Sequence, residues 1–259
     1  FVSFFADALR TSSFYYNKAD TFQPASTQYN LFGDLLANPT GKGKDYGFGF
    51  SLFNRKLSIR VNRYDNSQVD SRSGDAGIVA TRANRLDFGS DSWNLEDITR
   101  TWITQLHPEY TADQLTTAAN KLMQLPDGFL TNIQGKSIAE TSDVSSKGWE
   151  IELNYNPTRF LRLKVNGARQ VTIDNNLSPG IQRYFDFRLP AWQSIRSPID
   201  GSLWWDLGGD FGGPRAFYES LVVAPYKLAI ANQGKPRSQV REWRWNALAN
   251  YNLAGLGSD

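Results

Sequence analysis

The sequence predicts an all-β fold, specifically a section of an antiparallel transmembrane β-barrel with short periplasmic turns and long, partly helical extracellular loops. In several separate segments apolar residues recur at every second position, and short connections alternate with long ones. No segment approaches the roughly 20 consecutive apolar residues that a membrane-spanning helix needs. These observations exclude a helical membrane protein and favour strands as the spanning elements.

The composition limits the chemistry that the chain can perform. Among 259 residues there is no Cys and only one His, which excludes disulfides, Cys-based metal centres and Cys nucleophiles. Lys and Arg together number 28 against 26 Asp and Glu, without a basic stripe, so nothing indicates nucleic acid as a partner. A hydrophobic content of 40% is too high for a disordered chain. The composition implies no cofactor.

One weak strand and one hairpin are predicted in the first part of the chain. Residues 11–17 form a weak strand candidate, because their aromatic residues do not alternate with polar ones. A hairpin is predicted over 45–62, where alternating segments flank a two-residue turn at Asn54-Arg55. This pairing sets Gly49 opposite Arg60 and leaves room for a long side chain there.

The clearest alternation predicts a second hairpin over 148–170. A three-residue loop at 157–159 would place Glu152 opposite Lys164 and keep both faces matched. The same register sets Tyr155 opposite Leu161, Leu153 opposite Leu163 and Ile151 opposite Val165. A further long strand is predicted over 242–253.

The connections of about 71–140 and 175–235 are too long to be structureless in a compact protein, so they are expected to carry helices. In the first connection, helical spacing of apolar residues runs over 95–106, and Thr111 with Gln114 forms a capping-box pattern. The second connection contains signals for a helix start, an interruption and a stop: Gly213-Pro214, Pro225 and Gly234.

Alternation alone fits either a soluble β-sandwich or an outer-membrane barrel. Alternating loop lengths, and Trp and Tyr near strand ends, favour the barrel. The residues predicted to face lipid are Phe48, Phe50, Trp149, Ile151, Leu153, Tyr155, Leu163, Val165, Trp243 and Trp245. The residues predicted to line the lumen are Arg60, Glu150, Glu152, Arg162, Lys164, Glu242 and Arg244. A wide lumen filled with water accommodates this many charges. A barrel of that width needs about 22 strands, so the chain is expected to form only part of the barrel wall.

One stretch resembles a known family. Residues 145–153, SSKGWEIEL, followed by NYNPT, resemble the SKGxExE…NPT barrel hairpin of TonB-dependent outer-membrane receptors. The segments 40–64 and 184–205 are similar to further parts of such receptors. The resemblance implies a non-enzymatic protein of the Gram-negative outer membrane that takes up a ferric siderophore, cobalamin or an oligosaccharide.

The same resemblance implies three partners: outer-membrane lipid, a small-molecule ligand such as a siderophore, and the TonB complex, which acts through an N-terminal part of the receptor. No plug domain, TonB box or aromatic-terminated final strand is recognisable in residues 1–259. The chain is therefore expected to be a partial barrel. A passive, porin-like wall and a soluble carbohydrate-binding sandwich are the alternatives.

Enzymatic candidates are few. His107 is the sole histidine and precedes a proline at a predicted helix end, where an exposed role is expected. The glycines of 41–44 precede a strand and therefore do not form a phosphate-binding loop, and 70–75 lacks EF-hand spacing. Glu150 and Glu152 lie on one face at a spacing that a glycosidase could use, but pairing with a cross-strand lysine explains them better.

Ligand contacts are expected in the long loops, where aromatic side chains beside polar groups can stack on a sugar or a chelate. The alternative is that these tryptophans hold the loop together. The predicted contact residues are Trp204, Trp205, Asp206, Trp192 and Arg188.

Overall fold

The computed structural model describes residues 11–253. Its sheet has six antiparallel strands, each paired with the next along the chain, so the sheet is an open meander. Within the described residues the outer edges of the first and last strands pair with nothing. The strands are β1 (Ser13–Phe22), β2 (Thr40–Leu52), β3 (Leu57–Arg72), β4 (Thr141–Tyr155), β5 (Leu161–Asn175) and β6 (Trp243–Tyr251).

The β2–β3 hairpin confirms the register predicted from the sequence. Gly49 lies opposite Arg60, and the final pair before the turn is Leu52 with Leu57. Asn54 and Arg55 both have positive φ, at 52° and 64°, as the central residues of a type I′ hairpin turn require. A turn of this type matches the twist of the two strands that it joins.

The predicted register of the β4–β5 hairpin is wrong by two residues. Leu153 lies opposite Val165 instead of Leu163, and Glu152 lies opposite Asn166. The loop is longer than predicted because the Thr158 hydroxyl accepts hydrogen bonds from the amides of Phe160 and Leu161, at 3.2 and 3.1 Å. A shift of two residues leaves every side chain on its predicted face.

The register divides the sheet into two faces. All ten residues predicted to face lipid lie on one face, called the apolar face, together with Phe14 and Tyr16. The opposite, polar face carries Arg60, Glu150, Glu152, Arg162, Lys164 and Arg244.

Glu242 departs from its predicted place on the polar face. It precedes β6, and its carboxylate pairs at 2.7 Å with Arg169, which lies on the apolar face between Trp149 and Trp243. A residue next to the end of an edge strand is less constrained by pairing, so its side chain can turn to the cation on the other face.

Helices fill both long connections and hold about as many residues as the strands, so the all-β description fits the sheet alone. They are α1 (Gly74–Phe88), α2 (Leu95–Leu106), α3 (Ala112–Leu122), α4 (Phe129–Ile133), α5 (Pro179–Trp192), α6 (Pro214–Phe217) and α7 (Ala224–Asn232). We call the part formed by 74–133 and 179–232 the helical region. No helix within residues 11–253 is both long and apolar enough to cross a bilayer.

The helix signals of the first connection are confirmed. Helix α2 covers the predicted 95–106, and the Asn94 side chain caps it. Helix α3 begins with the predicted capping box, in which Thr111 and Gln114 exchange hydrogen bonds. Helix α1 was not predicted, because its buried side is largely alanine and gives a weak apolar pattern.

Pro225 does not interrupt the second connection's helix as expected. Helices α6 and α7 are joined by a π-helical turn, Tyr218–Val223. Proline has no N–H to donate, and the wider turn accommodates this loss. The Leu221 carbonyl instead accepts a hydrogen bond from Arg82 of α1, at 3.0 Å. The chain therefore continues as helix to Asn232.

The helical region has one continuous apolar core built from both connections. Its largest fully buried side chains include Trp93, Trp192, Trp204 and Phe217. It joins the sheet at the ends of β3, β4 and β5, where backbone bonds link Ser73 to Glu140 and Ser178 to Thr141. Both faces of the sheet are left uncovered by helices over most of their length.

Candidate functional site

The polar face forms a concavity of about 560 Å³ near the middle of the sheet. Five of the six strands contribute to it, because equivalent positions on neighbouring strands share one row of the register. Its charged and aromatic lining consists of Tyr15, Arg60, Glu150, Glu152, Lys164, Arg244 and Trp245, whose ring lies against Gly167. The register therefore places these charges on one face of the sheet, and the lumen behind that face stays a prediction.

Opposite charges alternate across the concavity. Glu152 pairs with Lys164 at 3.1 Å and accepts a hydrogen bond from Asn154, also at 3.1 Å. The Glu150 carboxylate accepts a longer bond from Asn62, at 3.5 Å. Both carboxylates are thus engaged by neighbours, an arrangement typical of a hydrated polar surface and different from a poised acid–base pair.

Tyr15 occupies the space that the sequence pattern left open above the glycines of β2. Its ring lies over Gly47, where an added Cβ would come within 2.3 Å of the ring. Tyr15 belongs to the segment with poor alternation, so its position on the polar face was missed. A glycine opposite an aromatic residue on the neighbouring strand is the signal that could have indicated it.

The predicted ligand-contact residues lie in the helical region, and four of the five are buried in its core. They are Trp192, Trp204, Trp205 and Arg188, each no more than 4% exposed. Direct contact with a ligand was expected, yet the three tryptophans pack on one another and on Tyr218, and the Arg188 guanidinium lies 5.8 Å from the Trp192 ring. The alternative, that the tryptophans hold the loop together, fits this arrangement.

Asp206 is the member of the predicted set with a largely exposed side chain, at 53%. Its carboxylate pairs with Arg215 at the start of α6. This ion pair lies on the surface of the helical region, where a ligand could reach it.

A buried polar network explains why Arg188 lies in the core of the helical region. Its guanidinium makes two bonds to the Asp87 carboxylate, at 2.7 and 3.0 Å, and a third to the Met123 carbonyl. Asp87 also accepts bonds from the Tyr184 hydroxyl at 2.8 Å and from the Trp192 indole at 3.0 Å. Every charge in this network therefore has a partner.

Burial and the neighbouring Asp87 charge raise the pKa of the Tyr184 phenol well above its usual value. Tyr184 therefore stays protonated and keeps donating to Asp87. Sequence reasoning missed Asp87, although an acidic residue next to the apolar stripe of a helix is a signal of such a network.

A second buried acid lies at the joint between the helical region and the sheet. Glu140 is 3% exposed, directly before β4, and its Oε1 has no hydrogen-bond partner among the described residues. Burial raises the pKa of this carboxyl. The nearby Ser178 hydroxyl, the backbone amides of Thr141 and Leu31 and the Arg183 charge oppose this shift without reversing it. The joint therefore favours the protonated form.

The remaining chemical candidates are structural. His107 is exposed at the end of α2, as expected, where its Nδ1 lies 3.2 Å from Glu109 and its ring stacks on Tyr110. Within residues 11–253, no group of three His, Asp or Glu side chains could hold a metal ion.

No family model matches the chain, and no curated protein matches it. Among solved structures it is similar to the pyoverdine outer membrane receptor FpvA from Pseudomonas aeruginosa, with 11% identity and a TM-score of 0.36. That match covers 65% of this chain and 18% of the receptor. A structure of FpvA bound to heterologous pyoverdines gives 12% identity, a TM-score of 0.37 and coverage of 63% and 16%.

The chain is also similar to the alcaligin outer membrane receptor FauA from Bordetella pertussis, with 12% identity and a TM-score of 0.35. In that case 65% of this chain and 21% of the receptor are covered. The chain thus spans less than a quarter of the length of these outer-membrane receptors.

Proposed function

We propose that the chain is a wall segment of an outer-membrane β-barrel that serves TonB-dependent uptake of a scarce nutrient. The nutrient class is a ferric siderophore, cobalamin or an oligosaccharide. The proposed partners are outer-membrane lipid, the TonB complex and a small-molecule ligand, and the protein acts as a receptor without enzymatic activity.

The observation that carries the proposal is the uncovered apolar face of the sheet. Its aromatic side chains remain exposed, with Trp243 at 55% and Trp245 at 63%. Soluble monomers rarely expose a continuous apolar surface of this extent. Lipid is the surrounding in which such a face is stable, while the charged polar face suits a watery lumen.

Two further features support the same proposal. The turn at Asn54-Arg55 and the 156–160 loop are short, whereas the three connections at the other end are longer, and two of them are helical. Outer-membrane barrels place short turns on the periplasmic side and long loops outside the cell. The sequence 145–158 resembles the barrel hairpin of TonB-dependent receptors.

The alternatives make different demands on the sheet. A carbohydrate-binding sandwich needs a second sheet over the apolar face, and the described residues contain only one sheet. A passive porin has the same kind of barrel wall, but its transport does not depend on the proton-motive force. Uptake that stops when the proton-motive force is collapsed favours the TonB-dependent receptor, and uptake that continues favours the porin.

Substitution of Leu153 by Arg tests the membrane placement. If Leu153 lies near the bilayer midplane, a buried charge there costs about 2–4 kcal/mol. The measurement is the free energy of unfolding of the intact protein carrying this chain, inserted in lipid vesicles. The matched control is Asn154→Arg, one position along on the polar face, for which little change is expected. Equal effects of the two variants would refute the assignment of the faces.

A further inference from the structure

A second concavity, of about 530 Å³, lies where the helical region meets the sheet. It is bounded by the end of β3, by one side of α1, by Gln28 of the β1–β2 connection and by residues 138–139 before β4. Three arginines line it, Arg72, Arg82 and Arg85, and its lining contains no carboxylate. We call it the arginine cavity. A volume of this size suits a small organic molecule.

Arg72 is held at this cavity by neutral acceptors. Its guanidinium donates to the Gln28 side-chain oxygen at 3.1 Å, to the Ala37 carbonyl at 2.8 Å and to the Asp70 carbonyl at 3.3 Å. These bonds use the Nε and Nη1 hydrogens, so Nη2 still has two hydrogens to donate. Arg72 forms no ion pair with a carboxylate in the described part of the chain. Its charge is therefore fixed in position and not neutralised.

Arg82 is positioned by the π-helical turn. Its Nη1 donates to the Leu221 carbonyl at 3.0 Å, while its Nε and Nη2 make no hydrogen bond to any of residues 11–253. Arg82 also has no carboxylate partner among those residues. Arg85 differs, because Asp91 neutralises it through two hydrogen bonds, at 2.6 and 3.1 Å. The cavity thus has two cations without a counter-charge.

Apolar and small residues form part of the remaining lining. Ile78, one helical turn before Arg82, is 52% exposed, and Ile138 also lines the cavity. Gly77 is a further member of the lining, and a Cβ added there would meet no atom within 4 Å. An exposed isoleucine beside unpaired guanidinium groups matches a molecule that combines an apolar body with acidic groups.

A larger cavity of about 890 Å³ is also lined by Arg72 and Arg82, but it is less suited to an anion. Its lining includes Asp75 and Asp174, and Asp174 is paired with Arg237. An anion bound there would meet negative charge. The lining of the arginine cavity is free of acids, so charge complementarity favours the arginine cavity as the anion site.

We infer that the arginine cavity binds a small organic anion that carries at least two carboxylates on an apolar or flat body. Arg72 and Arg82 present free guanidinium hydrogens, whose fork geometry matches a carboxylate, and Ile78 offers apolar surface to the body of the ligand. The site itself stands on these contacts, whereas its role in uptake rests on the proposed function. Within that function, the nutrient is an acidic molecule and not a neutral oligosaccharide.

The test measures binding of benzene-1,3,5-tricarboxylate to the intact protein carrying this chain, in detergent, by isothermal titration calorimetry. This flat tricarboxylate represents the inferred class, and its triamide is the uncharged analogue. The double variant Arg72→Gln with Arg82→Gln removes both unpaired charges. Its matched control is Lys121→Gln with Arg196→Gln, which removes two exposed cations of the helical region that lie outside the cavity.

A second variant, Gly77→Phe, fills the cavity without removing a charge. The fold is expected to persist, because an added Cβ meets no atom within 4 Å and phenylalanine is a better helix former than glycine. Its matched control is Gly208→Phe, at a position outside the cavity where an added Cβ also meets no atom within 4 Å. Tryptophan fluorescence shows whether each variant is folded, and Gly77→Phe decides the question if the double variant is not.

The double variant and Gly77→Phe are each expected to bind the tricarboxylate at least about 10-fold more weakly than the unmodified protein, because each loses charge-assisted hydrogen bonds to the ligand. Both controls are expected to bind like the unmodified protein. The triamide and inorganic phosphate are expected to bind weakly to all of these proteins.

Equal binding of the tricarboxylate by the folded variants and their controls would overturn this inference and leave the barrel proposal intact. No binding by the unmodified protein at millimolar tricarboxylate would overturn it too, and so would equal binding of the triamide. Inorganic phosphate that bound as tightly as the tricarboxylate would show recognition of charge without the organic body, which also contradicts it. If the unmodified protein stayed in solution without detergent, the proposed function would fail, whereas the anion site would stand or fall on its own titration.

Discussion

Two ion pairs in the molecule have similar geometry and opposite surroundings. In the helical region, Arg188 and Asp87 meet at 2.7 Å with both side chains fully buried. On the polar face of the sheet, Lys164 and Glu152 meet at 3.1 Å with 41% and 35% of their side chains exposed. Attraction between charges is screened at the second site and strong at the first, where each charge depends on the other.

The tryptophans show the same contrast. Trp192 and Trp204 are fully buried, and their indole N–H groups donate to Asp87 and to the Trp93 carbonyl. Trp243 and Trp245 stack on each other on the open apolar face. The helical region therefore buries its aromatic side chains in a core of its own, whereas the sheet leaves those of its apolar face exposed to the surroundings.

The largest effect on stability is expected from Asp87→Ala, which removes the carboxylate of the buried ion pair. Arg188 would remain buried without a counter-charge, so a loss of about 3–5 kcal/mol in the free energy of unfolding of the helical region is expected. Urea unfolding of the intact protein, followed by tryptophan fluorescence, measures it. The control Asp186→Ala removes an exposed acid of the same helical region. A loss no larger than that of the control would contradict the buried network.

Glu140→Gln tests the joint between the helical region and the sheet. In contrast to Asp87→Ala, it is expected to raise the free energy of unfolding. Because burial raises the pKa of Glu140, its contribution to stability is full below the ordinary glutamate pKa and falls as pH rises through the raised value. Glutamine stays neutral throughout. The free energy of unfolding of the variant should therefore exceed that of the unmodified protein increasingly as the pH rises above the ordinary glutamate pKa, by on the order of 1 kcal/mol.

The measurement is the same urea unfolding at several pH values. Glu219→Gln, which changes an exposed acid of the π-helical turn, should show no such trend. A constant difference between Glu140→Gln and the unmodified protein at all pH values would mean that the carboxyl does not titrate in this range.

The smallest effect is expected from Lys164→Gln on the polar face. An exposed pair of this kind contributes about 0–1 kcal/mol, and salt screens it further. Unfolding at low and high ionic strength would measure the difference, which should shrink as salt is added. A loss approaching that of Asp87→Ala would mean that the polar face is dry, which would remove the contrast between the two regions.

Much of the sheet could be predicted from the sequence, because period-two alternation and a two-residue turn define local geometry. The β2–β3 register follows from the turn at Asn54-Arg55 alone. The β4–β5 register does not, since the hydrogen bonds of Thr158 lengthen the loop and leave no apolar signature. Helices with strong capping, such as α3, were predictable, whereas the alanine-rich α1 was not.

The candidate site was less predictable than the fold. The side chains of the polar face could be assigned from alternation, but burial of Trp204 and Arg188 depends on contacts between distant parts of the chain. Arg188 is inside because Asp87, 101 residues earlier, lies opposite it. No local sequence pattern indicates such a pairing. A loop rich in aromatic and charged residues therefore predicts exposed side chains that contact a ligand.

The single core shared by the two long connections limits how they can move. Asp87 comes from the first connection and Arg188 from the second, and separating the connections would strip both charges of their partners. Two connections fastened in this way are expected to move together as one body. Moving either connection alone would require breaking this ion pair and opening the shared core, so it is expected to coincide with local unfolding.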